Sequence, residues 1–286
     1  MHRWTARRQA FRAILNGDRC VRPASTYDPL STRIAEDLGF EVGMLGGSVA
    51  SLAVLGAPDL IVLTLSELAD QVGRISRAGN LPLMVDADHG YGNSLNAMRT
   101  VEELELAGAA GLSLEDTLLP RRHGAEGVTE FIPVEEGVAK LKAALGARND
   151  PDLAIVGRTD TAKTLGAEEA AKRARAYAAT GVDAIFLVGV QSMADLKQIT
   201  ADIDLPLILG GTGADMTDAG ELAALGARVW LQGHQPIAAS ARAIYETMKH
   251  FRDGGAASDL TTLPEAGLMD RVSRKQTYAD WMEEFL

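Results

Sequence analysis

The sequence predicts an α/β fold, a single (β/α)8 TIM-type barrel with an extra C-terminal helical segment. Short apolar, β-branched runs alternate with helical patterns of about ten to sixteen residues between Cys20 and Gln235, which is typical of repeated strand and helix units around a parallel sheet. Continuous apolar runs such as Ile185–Val188 favour strands that are covered on both faces. No Gly-x-Gly-x-x-Gly motif follows the first run, which favours a closed barrel over a dinucleotide-binding sheet.

The strands of this barrel are predicted from eight apolar runs. In chain order they are Cys20–Ala24, Glu41–Leu45, Leu83–Asp86, Gly111–Glu115, Leu153–Arg158, Ala184–Val188, Leu207–Leu209 and Val229–Leu231. Three segments share a pattern in which a helix ends at glycine and a strand follows: ELAGAAGLSLED, AATGVDAIFLVG and AALGARVWLQG. Glycine at such a position adopts the left-handed conformation that ends a helix, so the pattern indicates repetition of one unit.

The barrel domain is predicted to span residues 1–254, and a C-terminal helical oligomerisation segment is predicted for residues 255–286. After a polar stretch, GGAASDLTT, this segment carries apolar residues that a completed barrel does not need. They are Leu263, Leu268, Met269, Val272, Tyr278, Trp281, Met282, Phe285 and Leu286.

The net charge of −11 argues against binding to nucleic acid or to an anionic membrane, because such binding needs a basic surface. An anionic substrate therefore needs local positive charge. The single cysteine, Cys20, excludes an intramolecular disulfide framework and a multi-cysteine zinc site, and it suits a reducing cytoplasm. The basic N-terminus lacks the apolar run of a secretory signal and no stretch approaches a membrane span, so we expect a cytoplasmic protein.

Polar residues gather where the predicted strands end, which is where α/β barrels place their active sites. Asp86 and Asp88 lie two apart on one face at the end of the third strand, where a hard cation such as Mg²⁺ finds carboxylate oxygens. Mg²⁺ keeps several waters, so one direct carboxylate with Asp59 and Glu115 as outer partners fits the pattern. Alternatively, Asp86 and Asp88 cap the helix that begins near Ser94 or order a glycine-rich turn.

Three other strand ends carry candidate substrate-binding or proton-transfer groups. Arg158 ends an otherwise apolar strand and needs a partner, either a substrate carboxylate or the neighbouring acidic residues. Gly46-Gly47-Ser48 offers backbone amides at a helix start, either as an anion site or as a tight turn with Ser48 as the N-cap. His234 directly precedes a predicted helix and is either a proton-exchanging group or a structural residue.

Four motifs together resemble the isocitrate lyase / phosphoenolpyruvate mutase superfamily. They are Gly46-Gly47-Ser48, VDADHGYGN at Val85–Asn93, LSLEDT at Leu112–Thr117 and VGRTD at Val156–Asp160. The match runs in order over residues 20–250, and the D-x-D-x-G-[YF]-G block is its most specific part. The resemblance implies an enolate or similar oxyanion intermediate. It also implies Mg²⁺ as the cofactor, with Mn²⁺ as an alternative, and a homotetramer, a dimer of dimers, with C-terminal helices exchanged between subunits.

The resemblance implies roles for individual residues. Asp86 is the expected direct magnesium ligand. The water-mediated shell is expected to comprise Asp59, Asp88 and Glu115. The substrate's oxo-carboxylate is expected to be held by Arg158, Ser48 and Gly47.

Two places decide the branch of the superfamily. Its lyases carry a K-[KR]-C-G-H motif on a gating loop, whose cysteine protonates the departing carbanion. The corresponding Pro120–Ala125 lacks the cysteine and has His123 nearest its position. LQGHQP at Leu231–Pro236 resembles the oxaloacetate decarboxylase branch, in which a histidine at the position of His234 faces the reacting carbon. The same branch is supported by GGSVASL at Gly46–Leu52, APD at Ala57–Asp59 and EDTLLP at Glu115–Pro120.

The resemblance therefore implies Mg²⁺-dependent decarboxylation of oxaloacetate, with 3-alkyl oxaloacetates as further candidate substrates, to pyruvate and CO₂ through an enolate. Arg158 and His234 are the expected catalytic residues, the first stabilising charge on the ketone oxygen and the second assisting protonation at C3, and both are also expected to bind the substrate. A carbon–carbon lyase of the methylisocitrate or dimethylmalate type, or an oxaloacetate hydrolase, is an alternative on the same scaffold. A non-catalytic binder of oxalate-like dicarboxylates is an alternative of another class. The expected partner is a small 2-oxo-dicarboxylate.

Overall fold

The computed structural model describes residues 4–125 and 127–286. Residues 1–3, with which the predicted barrel domain begins, and Glu126 lie outside the described residues. The chain forms two compact units, one that ends at Gly233 and one that spans His234–Leu286. All the strands found among the described residues belong to the first unit, and His234 is the first residue of the second.

Eight parallel strands form one sheet in which each strand lies beside the next in chain order. They are β1 (Ala24–Ser25), β2 (Gly43–Leu45), β3 (Leu83–Asp86), β4 (Gly111–Glu115), β5 (Ala154–Thr159), β6 (Ala184–Val188), β7 (Leu207–Gly210) and β8 (Ala227–Trp230). A further parallel bridge pairs Val21 with Val229, where the Trp230 N–H donates to Val21 O at 2.9 Å. Because Val21 precedes β1 and Val229 lies in β8, this bridge joins the two edges of the sheet. The predicted barrel fold is confirmed.

The predicted strand bounds agree with the structure for most strands and are wrong for the first. β3, β4 and β6 have the predicted bounds, whereas β1 covers Ala24–Ser25 instead of Cys20–Ala24. Pro23 interrupts the predicted run, because it has no N–H to donate to a sheet. Val21 therefore pairs with β8 as an isolated bridge, and the paired strand starts at Ala24.

The inside of the barrel is filled with apolar side chains that include Met44, Met84, Val156, Phe186, Ile208 and Val229. Helix α1 (Thr5–Leu15) closes the N-terminal end, and its fully buried Phe11 belongs to the same cluster. Gly111 leaves room for the ring, since a Cβ there would lie 2.6 Å from Phe11 Cε1. This end of the barrel is therefore closed, and the polar strand ends at the opposite end remain for chemistry.

A buried ion pair fastens α1 to the same closed end. The Arg8 side chain is 1% exposed and donates from Nη1 to Asp150 Oδ2 at 2.6 Å. Its Nε and Nη2 donate to the carbonyl oxygens of Ala109 and Glu105 at 3.0 Å and 2.5 Å. Asp150 also accepts from Thr5 Oγ1 at 3.1 Å. Each guanidinium nitrogen thus has a partner, which a buried charge requires.

Helices surround the sheet in the first unit. After α1, the described residues form α2 (Pro29–Asp37), α3 (Gly47–Leu55), α4 (Leu65–Ala78), α5 (Ser94–Ala107), α6 (Val134–Ala147), α7 (Thr161–Leu165), α8 (Ala167–Ala178), α9 (Met193–Thr200) and α10 (Ala219–Ala224). The predicted glycine stops are confirmed, because Gly108, Gly181 and Gly226 follow helices with φ of 105°, 92° and 91°.

The second unit is helical. It comprises α11 (Gln235–Arg252), a 3₁₀ turn at Ala257–Asp259, α12 (Leu268–Val272) and α13 (Lys275–Phe285). Large apolar side chains of this unit are exposed: Ile244, Tyr245, Met248, Phe251, Leu263, Met269, Tyr278, Trp281, Met282, Phe285 and Leu286. The predicted boundary after Gly254 falls just beyond α11 and stays a prediction. Within residues 4–125 and 127–286, no helix combines the length and the apolar character needed to cross a membrane.

Candidate active site

Three charged side chains meet at the carboxyl ends of neighbouring strands. Asp86 ends β3, Glu115 ends β4 and Arg158 is the penultimate residue of β5. Arg158 Nη1 donates to Asp86 Oδ2 at 2.7 Å, and Nη2 lies 2.8 Å from Glu115 Oε2. The side chains are largely buried, with exposed fractions of 13% for Asp86, 7% for Glu115 and 14% for Arg158. Residues predicted from separate strand ends are therefore in direct contact.

Asp160 completes the surroundings of Arg158 and is absent from the predicted site residues. It accepts from Arg158 Nε and Nη2 at 2.8 Å each, a two-pronged contact that fixes the plane of the guanidinium. The Phe186 ring centroid lies 5.3 Å from Arg158 Cζ, a cation–π contact. The spacing of Arg158 and Asp160 is a usable signal, because residues two apart at a strand end share a face. Of the two predicted kinds of partner for Arg158, the acidic residues are present in the structure.

The segment after β3 folds into a tight turn that holds Asp88 beside Asp86. Asp88 has a positive φ of 47°, and its carbonyl accepts from the Glu115 N–H at 2.9 Å. The Asp88 N–H donates to Asp86 Oδ1 at 3.3 Å, so Asp86 helps to order the turn, as one alternative predicted. The helix-cap alternative is wrong, because Asn93 Oδ1 accepts from the first-turn N–H groups of α5.

The start of α3 packs directly against Asp88. Gly46, with φ of −81° and ψ of 148°, is the N-cap residue, so Ser48 is not the N-cap that the tight-turn alternative predicted. A Cβ at Gly47 would lie 2.2 Å from Asp88 Oδ1, so a larger residue does not fit without movement of Asp88. The first-turn N–H groups of a helix lack intrahelical partners and attract anions. The amide donors of α3 therefore lie close to Asp88.

Negative charge is concentrated at these strand ends beyond what Arg158 balances. Burial raises the pKa of Asp88 well above its ordinary value, and the charge of Asp86 adds to this effect. Glu115 and the exposed Asp59 act on the pKa of Asp88 in the same direction. Burial also raises the pKa of Glu115 to about 8, against the opposing effect of Arg158. An added cation would therefore stabilise this cluster.

The carboxylate cluster fits a hard divalent cation. Carboxylate oxygens are the ligands that Mg²⁺ and Mn²⁺ prefer. In the part of the chain that the structure describes, no three side chains of His, Cys, Asp or Glu converge into a complete set of metal ligands. The predicted site requires a single direct carboxylate, with the others reached through water, and the residues present fit that arrangement.

A sequence profile of a known family covers the barrel. The profile, described as phosphoenolpyruvate phosphomutase, matches residues 11–252. The chain belongs to this family. The superfamily resemblance that the four motifs predicted is thereby confirmed.

Three enzymes illustrate what this member of the phosphoenolpyruvate phosphomutase family is similar to. An oxaloacetate decarboxylase of Rhodopseudomonas palustris is 54% identical over 283 residues, which cover 99% of this chain and 98% of the relative. A phosphonopyruvate hydrolase solved in complex with oxalate and Mg²⁺ has a TM-score of 0.84 at 28% identity, and 98% of this chain and 99% of that chain are covered. An oxaloacetate acetylhydrolase solved with the inhibitor 3,3-difluorooxalacetate has a TM-score of 0.85 at 27% identity, with 98% and 97% covered.

A buried lysine supports the turn that carries the two aspartates. Lys140 on α6 is 3% exposed and donates from Nζ to His89 O at 2.8 Å. Burial lowers the pKa of Lys140, and burial and the Lys140 charge lower the pKa of His89 to about 4, so His89 is neutral near pH 7. The sequence prediction missed Lys140, although its place in a buried stripe with Gly137, Leu141 and Ala144 is the signal that could have identified it.

The two histidines that are candidates for proton transfer belong to other segments of the sequence than the carboxylate cluster. His123 lies in the loop between β4 and α6, where it is exposed together with Arg121 and Arg122. His234 directly precedes α11, as predicted, and its side chain makes no capping hydrogen bond to that helix. Because His234 opens the second unit, its role in the site stays a prediction.

Proposed function

We propose that the chain is a Mg²⁺-dependent carboxy-lyase that decarboxylates oxaloacetate to pyruvate and CO₂, with 3-alkyl oxaloacetates as further candidate substrates. The observation that carries the proposal is the contact between Arg158 and Asp86, which puts a fixed cation beside the predicted metal-binding carboxylate. A 2-oxo acid presents a carboxylate and an adjacent ketone oxygen, which suit two neighbouring positive centres. The 54% identity to a protein named oxaloacetate decarboxylase favours this reaction over others of the family.

Asp86 would hold the metal directly. The carboxylates that would reach it through water are those of Asp59, Asp88 and Glu115. When bound, Mg²⁺, or Mn²⁺ as an alternative, supplies a Lewis acid for the negative charge that develops on the ketone oxygen. Asp86→Ala should abolish metal-dependent activity, and full activity in excess chelator would contradict the metal requirement. The phosphonopyruvate hydrolase that holds oxalate and Mg²⁺ supports a metal and a small dicarboxylate on this fold.

The oxo-carboxylate end of the substrate would lie between Arg158 and the first turn of α3. Gly47 and Ser48 would donate from backbone N–H and hydroxyl groups to the carboxylate. When the C3–C4 bond breaks, C4 leaves as CO₂ and its bonding electrons form the C2–C3 double bond, which places negative charge on the C2 oxygen. Arg158 would stabilise that charge, and because Asp160 already fixes its plane, the guanidinium needs little reorganisation.

We assign assistance in protonation at C3 to His234, directly or through a water. The support is its place after β8 in the motif LQGHQP. His234→Ala should lower kcat and leave oxalate affinity nearly unchanged, because the other binding groups remain. His123→Ala, measured in parallel, should have little effect. A large loss with His123→Ala and little with His234→Ala would move proton delivery to the loop.

Product analysis tests the reaction itself. Purified protein with Mg²⁺ and oxaloacetate, followed by NMR, should yield pyruvate and CO₂ only. Oxalate and acetate would instead identify a hydrolase, the alternative that the similarity to oxaloacetate acetylhydrolase favours. Turnover of a methylisocitrate or dimethylmalate would identify a carbon–carbon lyase. Tight oxalate binding without turnover of any 2-oxo acid would identify a binding protein.

We also propose a homotetramer, a dimer of dimers, with C-terminal helices exchanged between subunits. The support is the exposed apolar surface of the second unit, since exposed patches of this kind mark interaction sites. On α13, the side chains of Trp281, Met282 and Phe285 are 50%, 55% and 70% exposed. A cytoplasmic location and the lack of nucleic-acid and membrane partners stay predictions from the net charge of −11 and the sequence pattern.

A further inference from the structure

A second buried cluster of charged and polar side chains lies next to the candidate active site along the chain and has no part in the proposed reaction. It consists of Asp116, which directly follows Glu115, and of Arg173 and Tyr177, which are one turn apart on α8. Asp116 Oδ2 accepts from the Tyr177 hydroxyl at 2.8 Å and from Arg173 Nη1 at 3.0 Å. The three residues are 2%, 6% and 1% exposed in the order Asp116, Arg173, Tyr177. We call these three residues the anchor cluster.

The anchor cluster contacts both ends of the loop between β4 and α6. At the start of the loop it supplies Asp116 itself, whose carbonyl accepts from the Ile132 N–H at 2.9 Å. At the end of the loop, Arg173 Nη1 donates to Ile132 O at 3.0 Å, and its guanidinium carbon lies 5.6 Å from the Phe131 ring centroid. Thr117 pairs with Phe131 in an antiparallel bridge. The first and last residues of the loop are therefore held together by the same buried groups.

The fit of the cluster to α6, the helix that the loop enters, is equally close. A Cβ at Gly137 would lie 2.6 Å from the Tyr177 hydroxyl oxygen, so glycine makes room for the group that donates to Asp116. Arg173 is steered from its other side by Glu169, whose Oε1 accepts from Nε at 2.9 Å. A buried ion pair adds little net stability compared with apolar residues of equal volume, but its hydrogen bonds define directions. The main effect of this geometry is therefore to fix the position of the two chain segments at the base of the loop.

The loop base adjoins the candidate active site through the chain itself. Asp116 follows Glu115, whose carboxylate lies 2.8 Å from Arg158. We propose that the anchor cluster consists of positioning residues, which hold the base of the loop between β4 and α6, at Asp116–Thr117 and Phe131–Ile132, in a fixed place next to Glu115. Its effect on catalysis rests on the proposed function, whereas its effect on the loop does not.

Trypsin provides a direct measure of the loop, because Arg121 and Arg122 are exposed cleavage sites within it. Tyr177→Phe removes one hydrogen bond to a buried carboxylate, and Arg173→Lys keeps the charge but not the branched set of donors. Each variant should raise the rate of cleavage at these two arginines on the order of tenfold, the change expected when such a hydrogen bond no longer opposes local opening. Arg175→Lys, the same substitution at an exposed position of α8, is the matched control and should not change the rate.

Kinetics and ligand binding separate positioning from general stability. In both anchor variants kcat for oxaloacetate should fall severalfold, while Mn²⁺ affinity measured by electron paramagnetic resonance stays close to that of the unmodified protein. Unchanged cleavage rates at Arg121 and Arg122, or an equal rise in cleavage at lysines and arginines elsewhere in the chain, would overturn the proposal. Faster loop cleavage with unchanged kcat would overturn its catalytic part. If the unmodified protein does not turn over oxaloacetate, the proposed function fails, and the cleavage rates still decide the role of the cluster in the loop.

Discussion

Gly47→Ala should impair the site through a steric effect on a single carboxylate. The added Cβ would lie 2.2 Å from Asp88 Oδ1 and 3.0 Å from Asp88 Cγ. Non-bonded carbon and oxygen atoms are comfortable at about 3.5 Å, so the Oδ1 contact alone requires a movement of more than about 1 Å. Rotation of the carboxylate does not relieve the contact with Cγ. The Asp88 backbone is held at φ of 47° and by the hydrogen bond from the Glu115 N–H, so the contact has to be relieved by displacement of the Asp88 side chain itself.

A displacement of about 1 Å in a catalytic array can lower the rate by about 100-fold, and this is the loss that we expect in kcat/KM for oxaloacetate with Gly47→Ala. The assay is steady-state pyruvate formation at several Mg²⁺ concentrations, with an increase expected in the Mg²⁺ concentration for half-maximal activity. Gly146→Ala is the matched control, because nothing lies within 4 Å of a Cβ at this exposed position of α6. It should leave kinetics unchanged and raise stability by up to about 1 kcal/mol. Wild-type kinetics for Gly47→Ala would refute the steric argument.

Three further perturbations have defined outcomes. Asp150→Asn should reduce the free energy of unfolding by about 1.5–3 kcal/mol at pH 7, the range for a hydrogen bond to a charged group, because the buried Arg8 then keeps only the more distant Glu105, at 4.0 Å, as a counter-charge. Burial raises the pKa of Asp150, but the hydrogen bond from Arg8 contributes to a net lowering. This stabilisation is therefore present above about pH 4 and is lost as the pH falls through the folded-state pKa. Urea unfolding in which Asp150→Asn shows the same loss of stability at pH 3 as at pH 7 would contradict this expectation. Asp160→Asn should weaken competitive inhibition by oxalate and lower kcat, because the guanidinium of Arg158 loses its two-pronged partner, and unchanged inhibition constants would count against that role. Truncation after Gly254 should lower the oligomeric state in light scattering, and a truncated protein that remains a tetramer would contradict the proposed exchange of helices.

The fold was predictable wherever local patterns and the sheet agree. β3, β4 and β6 were predicted with the observed bounds, because each is a short and largely apolar run that begins after a loop or a glycine stop. β1 was misplaced because the interruption that Pro23 signals was not taken into account, and the pairing of Val21 with β8 cannot be seen in the local sequence. Pairing partners are a property of the closed barrel and are not encoded in the local run.

For the candidate site, the sequence predicted residues but not their contacts. That Asp86 and Arg158 meet at 2.7 Å follows from the order of strands around the barrel, which motif spacing alone does not give. Asp160 was overlooked because the sequence does not show which of several nearby acidic residues pairs with Arg158. The anchor cluster was overlooked because Arg173 is distant in sequence from the loop that it contacts.

The closure of the barrel between Val21 and Val229 has a consequence for how this protein folds. All other strand pairs join neighbours in the chain, whereas this bridge joins the beginning and the end of the barrel sequence. Contacts between distant segments carry the largest loop-closure entropy and form late. Until they form, β1 and β8 are open edges, which are templates for pairing with another chain. We therefore expect the seam beside Val21 to be the point at which nascent chains of this protein are most exposed to aggregation and to chaperone binding.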